Sequence, residues 1–134
     1  MFQRGNGAQS KNGIFVLDKE GNDIQFFAIA LPKIQNIEAT FTDAILVEDK
    51  IYFLAAVENT TSTYDDGEIL GSFIGALSVA NFELTFTQKI SETHKFEGLT
   101  LFRNSKEDIE FLLCEDKDTE ALETDIYKLT INLI

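Results

Sequence analysis

The only histidine of the chain, His94, stands in HKFEGL (94–99), with Lys95 and Glu97 beside it. This is the densest mix of acid, base and imidazole in the sequence, and it sits where an apolar strand, FEGLTLF, begins. If that strand lies innermost in a repeated sheet, Glu97 and its repeat partner Asp43 face a shared axis, with Glu38 just upstream. Carboxylates converging from different sheets make an oxygen-rich site suited to Ca²⁺ or Mg²⁺. Held close together, they also suit acid–base work. The plainer alternative is that Glu97 and Asp43 bond backbone amides and fix the packing of neighbouring sheets. His94 with a serine such as Ser91 matches no nucleophile motif, so a hydrolytic triad is not expected.

Two further stretches invite a chemical reading. The opening MFQRGNG places Gly5 and Gly7 around Asn6, directly behind Arg4. A dinucleotide fingerprint would need Gly where Ser10 stands, and no helical pattern follows to supply a positive end. The glycines therefore read as a turn, and Arg4 is the residue there able to hold an anion. The segment EDKDTEALETD (115–125) carries six acids in eleven residues. Asp116, Asp118 and Glu120 fit the first ligand positions of an EF-hand loop. Ala121 stands where that loop needs Gly, and Tyr127 where it needs Glu, so an EF-hand is excluded. A looser divalent site including Asp116 and Asp118 remains, against the simpler reading of a solvated acidic rim. The candidate ligand-binding residues are thus Arg4, His94, Lys95 and Glu97, and the candidate metal ligands Glu38, Asp43, Glu97, Asp116 and Asp118.

Composition limits the partners. The net charge is −12, from 23 acids against 11 bases, so the basic footprint that nucleic acid or an anionic membrane surface requires is missing. With one cysteine, Cys114 in FLLC, no intrachain disulfide forms. A Cys/His zinc site has one residue of each to draw on. No signal peptide and no transmembrane run is present in the sequence, which leans the expected location to the cytoplasm.

The elements that must position these residues are strands. β-Branched and aromatic runs at 12–18, 24–31, 39–47, 51–58, 70–79, 83–90, 96–102, 109–115 and 125–133 alternate with Gly, Asn, Asp and Ser. No segment sustains a 3.6-residue period, and the region from Thr119 to Leu122 has room for one helical turn. FTDAILVEDKIYFLAAVE resembles FEGLTLFRNSKEDIEFLLCE, matching Phe41 to Phe96, Asp43 to Gly98 or with a one-residue shift to Glu97, and Ile51 and Phe53 to Ile109 and Phe111. GSFIGALSV likewise matches ETDIYKLTI, with Leu77 on Leu129. The repeat is about 52–58 residues, near propeller periods. Each unit reads as a four-stranded antiparallel meander, the form of a propeller blade. IYFLAAV and IEFLLC are apolar on both strand faces, as strands covered from two sides must be. The expected fold is all-β: about 2.5 blades of a propeller, in units 1–32, 39–90 and 96–134 of a single domain. A lipocalin-like barrel or a β-sandwich is the alternative. Because a ring needs roughly four to eight blades, its completion would fall to a missing N-terminal half or to other copies of the chain.

RGNG followed by NGIFVLD, then DDGEILGSFIG, HKFEGLTLF and FLLCEDKDTE, resembles the C-terminal half of bacterial β-propeller proteins similar to the phytase-like and SdiA-regulated types. The resemblance spans residues 2–133 and implies the propeller fold and an N-terminal half outside this chain. The expected function is a binding or scaffold module, with a divalent cation among its candidate ligands. The alternative is a Ca²⁺-dependent phosphoester hydrolase, with Glu38, Asp43 and Glu97 as metal ligands and Arg4 or Lys95 holding phosphate.

Overall fold

The computed structural model of the chain describes residues 1–4, 11–59, 67–115 and 122–134. Those residues form strands, turns and no helix, so no helix is long and apolar enough to cross a membrane. The first sheet comprises β1 (Phe2–Gln3), β2 (Gly13–Leu17) and β3 (Ile24–Ala28). A small hairpin follows, β4 (Lys33–Ile34) with β5 (Ile37–Glu38). The central sheet is β6 (Thr40–Val47), β7 (Lys50–Asn59), β8 (Glu68–Ser78) and β9 (Leu84–Ser91). The third comprises β10 (Phe96–Asn104), β11 (Asp108–Glu115) and β12 (Ile126–Asn132). Every pairing is antiparallel between strands adjacent in sequence, and among the described residues no sheet closes on itself. The barrel alternative therefore fails: a barrel needs its first and last strands paired, and among the described residues each larger sheet keeps two open edges.

Burial explains the arrangement. Along β7, Phe53, Ala55 and Val57 join a cluster with Ile14 of β2, Phe41 of β6 and Phe73 of β8, against which Phe2 and Val16 of the first sheet also pack. The alternate residues Tyr52 and Leu54, with Ile74 and Ala76 of β8, pack instead on Phe96, Leu99, Ile109, Phe111 and Leu113 of the third sheet. The central sheet is thus covered on both faces, which is why its strands read as continuous apolar runs. Burying each large side chain contributes about 1.5–3 kcal/mol. Phe53 shows how tightly neighbouring strands of the central sheet fit. Its ring lies across Gly75 on β8, and a Cβ there would come within 2.3 Å of the ring.

The strands follow the alternation of the sequence closely, and the departures have local causes. The β4–β5 hairpin lies where no strand is expected. Its turn is Gln35-Asn36, both at positive φ (51° and 65°), a primed two-residue turn built without glycine. The sequence match of Ile51 to Ile109 and Phe53 to Phe111 also shifts. Both β6 and β10 carry a bulge near their start, at Thr42 and at Glu97. Aligned on that bulge, Ala55 corresponds to Glu115 and Phe53 to Leu113, so Ile51 corresponds to Phe111. Leu77 and Leu129, which pair with Ile51 and Phe111, then correspond as expected. A second irregularity near Phe102 and a longer β10–β11 turn absorb the difference. A shift of two residues keeps every side chain on its own face, so hydrophobic patterning alone does not reveal it.

Candidate functional site

The chemically distinctive side chains gather at one end of the stacked sheets. Arg4 follows β1, Glu58 lies near the end of β7, Glu115 ends β11, and His94 and Lys95 lead into β10. Antiparallel pairing brings these strand ends together: Phe96 at the start of β10 stands opposite Glu115.

Lys95 is the centre of the group. Its Nζ lies 2.9 Å from Glu58 Oε1 and 2.9 Å from Glu97 Oε1. Arg4 reaches the same Glu58 oxygen at 4.0 Å. The chain of charge therefore runs from the first sheet (Arg4) through the central sheet (Glu58) to the third (Lys95, Glu97). The Lys95 and Glu58 side chains are largely covered, at 17% and 14% exposure. Burial alone would pull the Lys95 ammonium down. Hydrogen bonds that Lys95 donates to Glu97 and Glu58, with the charge of those carboxylates, outweigh it and raise the pKa above its ordinary value.

His94 is held on three sides. Its Nδ1 meets Glu115 Oε1 in a short contact, and that carboxylate is 7% exposed. Tyr127 Oη donates to the other Glu115 oxygen at 3.2 Å. The imidazole packs on the rings of Phe96 and Tyr127, with centroids 5.7 and 5.2 Å away. The His94 backbone is fixed as well: its N–H donates to Ser91 Oγ at 2.9 Å, and its carbonyl accepts from Ser72 Oγ. Ser91 thus serves the backbone turn ahead of β10. A carboxylate offers only acceptors, so in this pair Nδ1–H is the donor.

The other sequence candidates lie apart. Asp43 Oδ2 accepts the Leu99 N–H and Oδ1 the Ala44 N–H, both at 2.8 Å. It joins the central sheet to the third, beside the Thr42 Oγ1 bond to the Phe96 carbonyl (2.7 Å). Glu38 Oε1 accepts the Leu31 N–H at 2.9 Å and closes the β4–β5 hairpin. The shared bulge makes Thr42, and not Asp43, the counterpart of Glu97. Glu38 and Asp43 each accept backbone amides, and Glu97 pairs with Lys95. Among the described residues no three His, Cys, Asp or Glu side chains are set to hold a metal ion. Asp116 and Asp118 fall outside the described residues, as do Gly5, Asn6 and Gly7.

Sequence reasoning missed Glu58, Glu115, Tyr127 and Ser72. The signal for two of them was present. Glu58 and Glu115 each close an apolar run, IYFLAAV and IEFLLC, where a charge marks the strand's emergence from the core.

A family model described as a family of unknown function, DUF6929, matches residues 1–131. The chain belongs to that family. No curated protein and no solved structure matches it at a significant level. The DUF6929 match spans all three sheets and both the Arg4–Glu58–Lys95–Glu97 chain and the His94–Glu115–Tyr127 group.

Proposed function

We propose that this chain is a non-catalytic binding module, made of consecutive blades of a propeller-type ring that further sheets complete, with its ligand end at Arg4, Glu58, Lys95, Glu97, His94 and Glu115. Further sheets would come from an N-terminal half or from other copies of the chain. The observation that carries the reading is the central sheet buried on both faces. Interior-like packing occupies the faces, which leaves strand ends as the surface where charged groups collect.

The balance of charge there favours a cationic ligand. Among the described residues, Glu58, Glu97 and Glu115 supply three carboxylates against the two fixed cations Arg4 and Lys95. Lys95, the natural holder of a phosphate, is already bonded to two carboxylates, which weakens the phosphoester-hydrolase alternative. A divalent cation would draw on Glu58 and Glu97, displacing Lys95.

The test is a calcium titration followed by thermal melting, with p-nitrophenyl phosphate turnover measured on the same samples. Free calcium at a hundred times the Kd of a specific site raises stability by about 2.7 kcal/mol. The reading expects a calcium-dependent rise that E97Q reduces, and no turnover. Absence of any rise at millimolar calcium removes the divalent ligand, and turnover abolished by E97Q overturns the non-catalytic reading.

A further inference from the structure

β3 and β9 hold equivalent places, each the last strand of its sheet, yet their open sides differ. Each is reached through a loop closed by the same backbone bond, Asp18 N–H to Asp23 O and Ser78 N–H to Glu83 O. β9 is guarded as edge strands usually are: it carries Lys89, and its register breaks at Thr85 and Ile90. β3, IQFFA, has no charge, no proline and no bulge. The uncharged run continues to Pro32, in a chain of net charge −12. Among the described residues no strand pairs with the outer side of β3.

The groups open on that side follow from the register. Phe15 exchanges both of its backbone bonds with Met1, so its N–H and C=O face away from β3. Backbone groups alternate sides along a strand, so Ile14 and Val16 serve Phe27 and Gln25. The N–H and C=O of Ile24, Phe26 and Ala28 therefore point outward. The Phe26 ring lies back over Gly13 of β2 and against Phe15, away from the open side. No β3 residue belongs to the core cluster between the first and central sheets, which places the strand at the rim of the stack.

We propose that Ile24–Ala28 is a homotypic interface, pairing antiparallel with the same strand of a second copy and joining the two first sheets edge to edge. The three outward residues are symmetric about Phe26. A two-fold axis there sets Phe26 opposite Phe26 and Ile24 opposite Ala28, and every outward N–H and C=O of both copies finds a partner. Ile24, Phe26 and Ala28 meet one another on one face, and Gln25 meets Phe27 on the other. Charge selects a second copy as the occupant: two chains of −12 repel over most of their surface, and this register sets no charge against its like. The contact is small, so the dimer is weak and depends on concentration. A two-fold contact consumes its own surface and stops at two copies. The pairing is distinct from the stacking of sheets face on face, and it stands whether or not the sheets belong to a ring.

The test is sedimentation equilibrium of the full chain up to about 1 mM, with amide hydrogen exchange followed by NMR over the same range. The expected result is a monomer–dimer equilibrium. The amides of Ile24, Phe26 and Ala28 gain protection as concentration rises, while those of Gln25 and Phe27, already bonded to β2, change little. Ala28→Pro removes one outward donor from each copy and keeps the β2–β3 ladder, so it should weaken the dimer at least about tenfold. Ile24→Glu, at an exposed position, should weaken it too, while Leu17→Lys, on the exposed face of β2, should dimerise as the parent does. A monomer at every concentration, protection that does not alternate, or assembly beyond two copies overturns the proposal. So does dimerisation of A28P and I24E at parental strength, or association lost in L17K and kept in A28P, which would mark a contact through the sheet face instead.

Discussion

Replacing Lys95 with Met should destabilise the chain by about 1–3 kcal/mol at pH 7. The variant keeps most of the side chain's apolar length and removes the ammonium between Glu58 and Glu97. Two carboxylates, 14% and 28% exposed, would then face each other without a counter-charge. Losing one partner of a fully buried pair costs about 3–5 kcal/mol, and exposed pairs contribute about 0–1. Partial exposure places this case between the two. The pH dependence gives a sharper check. Because the folded-state pKa of Lys95 is raised above its ordinary 10.5, its contribution is complete below that value and is lost as pH climbs through the folded pKa. Tyr52 acts in the same direction: burial, then Asp49 and Glu48, raise its pKa above 10.0, so it too loses stability in alkali. Only the Lys95 part disappears in the variant. Urea unfolding of both proteins at pH 7 and above pH 11 should therefore show a gap that narrows at the higher pH. A double-mutant cycle with E58Q should return a coupling of about 1–2 kcal/mol. A K95M cost below about 0.5 kcal/mol, or a gap unchanged in alkali, would refute the reasoning.

Other positions give independent checks. Gly98→Ala sets a Cβ 2.3 Å from Cys114 Sγ and should cost about 1–3 kcal/mol, with C114A restoring part of the loss in urea melts. Asp43→Ala removes the acceptor of the Leu99 and Ala44 amides and should cost about 2–4 kcal/mol, with D43N milder because its carbonyl still accepts one of them. Phe111→Ala opens a cavity at a fully buried ring and should cost about 3–5 kcal/mol by the same measurement.

The strands were legible because their physics is local. Runs such as IYFLAAV and LGSFIGALSV are bounded by turn residues, and apolar side chains on both faces announce cover from two sides. The β4–β5 hairpin escaped because its strands are two residues long and its primed turn uses Gln-Asn. The partners of Lys95 and His94 escaped for another reason. Glu58 precedes Lys95 by 37 residues and Glu115 follows His94 by 21, and only strand pairing and stacking decide which ends meet. The bulges at Thr42 and Glu97 fall at equivalent places, so Asp43 keeps its match to Gly98, and the one-residue shift that would pair it with Glu97 is ruled out.

The double cover of the central sheet also governs how the chain can come apart. Removing either outer sheet strips a whole apolar face, so the central sheet has no partly folded form with a wet side to fall back on. The contacts that hold each cover in place, Phe2 with Phe41 on one side and Asp43 with Leu99 on the other, both converge on β6. Damage to β6 should therefore loosen both covers at once, and the three sheets should melt as one cooperative unit and not layer by layer.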